Sequence, residues 1–212
     1  MYTKDSILQG LENGETLEEA DLRGSKLIGA YLPKINFRGA DLQDADLRFA
    51  NLGGVVFEGA NLKGANLTGA WLAGSDLTGA NLENARLDDA YLMRADLRKA
   101  CFKHATLTHA SLRATLLAET DFTDADLRGA NLGGSKGGFS AKFQNADLRG
   151  ASGEDSGLDE RELKDVGAKI DNTMSGFKKR VFDFFYCGIE DDPPKKSFKE
   201  RMLGFLKRAR TR

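Results

Sequence analysis

Cys101, His104 and His109 are the residues of this chain whose types and spacing come nearest to a metal site. A thiolate with two imidazoles is a familiar zinc-ligand set, and these are the only two histidines in 212 residues. Their setting argues against it, because they sit in a run where every fifth residue is Leu or Phe. The two imidazoles fall on neighbouring sides of a repeated unit and would have to converge around a corner. No metal and no cofactor is expected. The many Asp residues could offer a carboxylate pair, but most stand immediately before a Leu, where a short polar side chain bonds nearby backbone and faces water. Glycines two places after Leu read as bends, and neither a phosphate loop nor a dinucleotide fingerprint is present. Inward positions filled with Leu, Phe and Ala leave no pocket for a nucleophile, so the chain is read as no enzyme.

What positions these residues is the period itself. Leu or Phe occupies every fifth place from Leu22 to Leu132, and the residue two places earlier is nearly always Ala, as in Ala-Asp-Leu-Arg-Gly (20–24) and Ala-Asn-Leu-Lys-Gly (60–64). Repeats must be read before helices or strands. In a helix a five-residue step turns the chain by about 140° and scatters the leucines. In extended chain, positions i and i−2 point the same way and i−1 points opposite. Leu and Ala therefore face inward, Asp or Asn faces out, and a bend at i+2 returns the next Leu to the inside. The expectation is an all-β solenoid whose coils hydrogen-bond at a spacing of about 4.8 Å.

Over residues 20–134 this pattern resembles the pentapeptide-repeat family, whose motif reads Ala-Asp/Asn-Leu-x-x. The resemblance implies a right-handed quadrilateral β-helix. Departures at i−2 are Ser25, Ile35, Val55, Ser75, Thr115 and Thr120. Ile35 with Val55, Phe37 with Phe57 and Phe102 with Phe122 are each twenty residues apart. A bulky residue widens its coil and the neighbouring coil must match, so these pairs favour a twenty-residue turn.

The flanks differ from the repeat. Residues 1–14 are expected to form a short helical cap, with Ile7, Leu8 and Leu11 on one side, ahead of a β-helix over 15–150. Register slips after Leu132 at Gly133 to Ser140 and resumes one residue out of phase, so a bulge is expected near Gly137 and Gly138. Residues 151–176 read as linker, a helix from Leu158 to Val166 and a last strand at 168–172. Residues 177–212 form a basic amphipathic helical extension carrying eleven Lys or Arg against five acids, about +6, whereas 1–176 carry about −7. No apolar run is long enough to cross a bilayer. Cys101 and Cys187 are read as free thiols in a reducing compartment, which makes the cytoplasm the expected location.

Sorting outward residues by side yields the candidate binding surface. The side containing Leu32, Leu52, Leu72, Leu92 and Leu112 exposes Tyr31, Trp71 and Tyr91, with Met93 beside them and Lys34, Arg94 and Arg113 as its only charges. The side containing Leu22 and Leu42 presents six acids against three bases. Aromatics and Arg with few acids suit an interface centre, so the first reading is a protein–protein interaction scaffold with an unidentified protein partner. The tail offers others. Phe198, Met202, Phe205 and Leu206 form an apolar face beside Lys199, Arg201, Lys207 and Arg208, which suits packing on the rod, a homodimer, or an anionic membrane surface and hence a peripheral membrane adaptor. Nucleic acid is the partner least favoured, since these aromatics are not interleaved for base stacking. The family resemblance adds a further alternative, because its topoisomerase-protecting members are acidic rods that mimic DNA and occupy gyrase. Residues 15–150 carry eighteen acids and sixteen bases, about −2, whereas a DNA mimic needs a strongly negative length.

Overall fold

The computed structural model describes Ile7, Gln9, residues 16–156, Leu158 and residues 160–171. The rest of the expected N-terminal cap and the basic extension over 177–212 lie outside the described residues. Parallel bridges join residues twenty apart, from Asp21 with Asp41 through Leu116 with Lys136, and four such bridge columns follow one another around the coil. Twenty residues therefore make one turn with four sides. The first side carries bridge residues Asp21, Asp41, Asn61, Asn81, Cys101 and Asp121; the second begins at Lys26, the third at Tyr31 and the fourth at Asn36.

One unit shows why five residues suffice. In 45–49, Ala45 N donates to Leu42 O at 3.0 Å, Asp46 N to Ser25 O at 2.9 Å, Leu47 N to Asn66 O at 2.8 Å and Phe49 N to Thr68 O at 3.0 Å. The remaining N–H, that of Arg48, donates to Asp46 Oδ1 at 3.4 Å. Every backbone donor is thus paired, as a structure without long strands requires. The Asp or Asn before Leu recurs because it caps the N–H two residues on, as Asn66 does for Thr68 at 3.1 Å and Asp121 for Thr123 at 3.1 Å.

Each unit then turns through a residue of positive φ at i+2, the signature of a type II turn when the preceding φ is negative. Glycine was expected there and often is, but fifteen described non-glycine residues also take positive φ, among them Phe49 at 58° and Arg94 at 59°. The hydrogen-bonded coil on either side holds them in a conformation that costs about 1 kcal/mol for an L-residue.

Inside, the Leu, Phe and Ala positions from Leu22 to Leu132 are buried almost completely. Phe37 stacks on Phe57 at 5.2 Å, and Phe102, Phe122 and Phe143 form a second stack with 5.2 Å steps. Hydroxyls that replace Ala mostly bond to carbonyls within the core, Ser75 Oγ donating to Leu72 O at 2.7 Å and Thr120 Oγ1 to Leu97 O at 2.8 Å, while Ser25 Oγ is buried without a partner.

The coil lengthens toward the end. Asp121 pairs with Lys142, twenty-one residues on, and the extra residue is taken up by a 3-10 turn, Gly138–Ser140, entered through Gly137 at φ 80°. Asp147 pairs with Lys169, twenty-two on, and that coil holds helix α1 (Glu160–Asp165). Leu163 of α1 is buried in the common core, as is Ile7 near the other end. Among the described residues no helix is long and apolar enough to cross a membrane.

Candidate interaction face

The third side is built from Tyr31, Asn51, Trp71, Tyr91, Ser111 and Asn131, bridged in that order. Tyr31 is 64 % exposed. Trp71 is not: the sequence rule that i−1 faces water places it outside, yet it is only 5 % exposed. Its indole packs against the Tyr91 ring, 5.4 Å away and tilted by 35°, and against Gly53, where a Cβ would stand 3.2 Å from the indole. An outward residue can still bury itself if the neighbouring coil offers a glycine beneath it. The indole thus forms the floor of this side and leaves Tyr31 as its prominent aromatic.

The remaining candidates fall into two groups. Tyr91 and Met93 are half-buried and Arg94 exposed on one coil, with exposed Arg113 on the next. Lys34 is exposed beside Tyr31, three coils away, a distance of about 14 Å at the β spacing. Between 31 and 134 the outward places of this side hold no acid and are otherwise small, including Gly54, Ala73, Gly74, Gly133 and Gly134. Around the corner the fourth side exposes Leu116 (36 %) and Lys136, which are bridge partners. The sequence reading passed over both. The available signal was a Leu where the unit places Asp or Asn.

Charge on the other sides is mostly paired. On the second side Arg48 and Arg128 donate to Asp46 and Asp126 at 2.6 Å, and Arg149 clamps Asp147. On the fourth, Arg98 clamps Asp96 at 2.6 Å and Arg38 pairs with Glu58. On the first, Arg23 holds Asp21 at 2.6 Å, Lys63 meets Glu83 at 3.2 Å, and Lys103 and Lys142 approach Asp121 at 3.5 and 3.6 Å. The side-chain hydrogen bond from Arg23 draws the Asp21 carboxyl down to about 2. Burial pushes Asp126 up, but hydrogen bonds from the Arg128 side chain and backbone outweigh it and the net direction is down.

The residues that first suggested a metal do not converge. His104 Nδ1 lies 3.8 Å from Asp124, while His109 lies over Gly129, where a Cβ would stand 2.4 Å from its Nδ1. Among the described residues no three His, Cys, Asp or Glu side chains are placed to hold a metal ion.

Comparison with known proteins gives the lineage. Residues 16–48, 40–79, 75–113 and 105–136 match the family described as pentapeptide repeats, with eight copies. Among solved structures, HetL, a pentapeptide repeat protein involved in heterocyst differentiation regulation from the cyanobacterium Nostoc sp. strain PCC 7120, is 31% identical, covering 73% of this chain and 81% of its own, with TM-score 0.49. Rfr23 from the cyanobacterium Cyanothece 51142 is 21% identical over 77% of this chain and 97% of its own, with TM-score 0.41. QnrB1, a plasmid-mediated fluoroquinolone resistance protein, is 22% identical over 76% and 92%, with TM-score 0.30. No curated protein matches the chain. On the match over residues 16–136, more than half of the 212, the chain belongs to the pentapeptide-repeat family.

Proposed function

We propose that the protein is a non-enzymatic interaction scaffold in the cytoplasm, a right-handed quadrilateral rod whose third side receives a protein partner. The observation that carries this is the contrast in charge. Ten carboxylates elsewhere on the rod are engaged by Arg or Lys of the same or a neighbouring coil, whereas the third side offers aromatic, small and cationic residues with no acid between 31 and 134. Interface centres favour aromatics and Arg and are depleted of acids. Binding there desolvates little polar surface, since the small residues leave few side chains to order.

Trp71 is part of the packing, so the variant that tests the face is Tyr31→Ser with Met93→Ser. Its melting temperature should match the parent, and affinity capture followed by mass spectrometry should lose the retained protein. Retention equal to that of the parent would move the interface off this side. The gyrase-directed alternative has less support, because the acids of the first side are largely paired with Arg23, Lys63, Lys103 and Lys142.

A further inference from the structure

The corner between the third and fourth sides brings an exposed aliphatic side chain together with two exposed cations. At Leu116 the unit lacks the Asp or Asn that in many other units caps the N–H two residues on, and where Val56 of the same side is half-buried, the aliphatic side chain of Leu116 stands 36 % exposed. That substitution forgoes a turn bond and adds exposed apolar surface, so folding gains nothing from it. The second feature is electrostatic. Ten Lys or Arg side chains of the rod, from Arg23 to Arg149, make ion pairs with carboxylates. Among the described residues Arg113 and Lys136 make none, though both are exposed, as is also true of Lys26, Lys34, Lys99 and Lys169. The acid that bridges to Leu116, Asp96, is already clamped by Arg98.

These groups are close neighbours. Leu116 and Lys136 are bridge partners on successive coils, about 4.8 Å apart in backbone. Arg113 precedes Leu116 by three residues around the corner, and Met93, half-buried, lies one coil before Arg113. We propose that this corner docks an acidic segment of a partner protein, its carboxylates meeting Arg113 and Lys136 and an apolar side chain settling on Leu116 and Met93. The proposal rests on the scaffold reading and names the chemistry of the partner. Uncompensated cations around an apolar floor favour an anionic, apolar-anchored ligand by charge complementarity. Between 31 and 134 the third side adds no acid next to the corner; exposed Glu154 and Asp155 lie on its following coil, and exposed Glu119 three residues beyond Leu116.

Selection of short random peptides on the full chain tests it, with fluorescein-labelled winners titrated by anisotropy. Winners should be enriched in Asp and Glu around a Leu or Phe. Their affinity should fall at least about tenfold in Arg113→Glu/Lys136→Glu and weaken as salt rises. Leu116→Asn restores the capping residue, so it should fold at least as well as the parent and still bind less. Winners without acidic enrichment, or affinity unchanged in the double variant, overturn the proposal. So does sedimentation with phosphatidylserine vesicles that depends on Arg113 and Lys136 while acidic peptides fail to bind. Capture that depends on Tyr31 and Met93 yet ignores Arg113→Glu/Lys136→Glu would sink this docking chemistry and leave the scaffold standing.

Discussion

The second and third sides of the rod are adjacent, share one backbone pattern and solve the problem of their outward residues in opposite ways. The second side repeats Asp-Leu-Arg, so its surface is knit by charge: Asp46 with Arg48, Asp126 with Arg128, Asp147 with Arg149. The third replaces charge with dispersion, packing Trp71 against Tyr91 and Gly53. The difference teaches that the repeat fixes backbone and core but leaves each side free to be self-satisfied or adhesive. A side whose charges pair with one another has little left for a partner, whereas one built of aromatics and small residues, with no acid between 31 and 134, has a surface still to cover.

The contrast breaks most visibly at Trp71. Trp71→Ala should cost about 3 kcal/mol in urea unfolding, since a nearly buried indole leaves a void on its glycine floor. The loss should be the same at low and high salt. A cost below about 1 kcal/mol would mean that water replaces the indole and that the side is not held by packing.

A matched glycine pair sharpens the comparison. Gly69 on the second side and Gly74 on the third both have φ of 64°. A Cβ at Gly69 would come within 2.6 Å of the Phe49 ring, which leans over it from the preceding coil, while at Gly74 nothing lies within 4 Å. Gly74→Ala should therefore cost only the left-handed penalty of about 1 kcal/mol, and Gly69→Ala about 2 to 3 kcal/mol because the ring must also move. Equal costs by thermal melting would show that Phe49 swings aside freely.

The core was legible in the sequence because stacking like on like leaves a trace at twenty-residue separation, and Phe37 with Phe57 and Phe102 with Phe122 do stack. The register slip near Gly137 was legible for the same reason, since one inserted residue shifts every later Leu. The burial of Trp71 was not, because inward and outward are properties of the strand, whereas such packing depends on which residue the next coil presents. Leu116 and Lys136 escaped notice for a related reason: both belong to the fourth side, and the corner joins them to Arg113 of the third, which sorting by side keeps apart. The positive φ of Phe49 and Arg94 was hidden too, because neighbouring coils impose it against local preference.

The smallest effect separates the two duties of Asp on the second side. Asp126 Oδ1 accepts the backbone N–H of Arg128 at 3.2 Å and its carboxylate pairs with the guanidinium. Asp126→Asn should keep the cap, as Asn131 does for Gly133 at 3.0 Å. It should lose only the exposed pair, about 0.5 kcal/mol, a difference that salt erases. Asp126→Ala should lose the cap as well, about 1 kcal/mol more. Because the Asp126 carboxyl titrates lower in the fold than its ordinary value of 3.8, its contribution is complete above about pH 4 and drains away as the pH falls further. The parent should therefore lose more stability than Asp126→Asn between neutral and acid pH. Parallel pH profiles for the two would show that Arg128 contributes nothing to holding the side together, and that the charge there serves solubility alone.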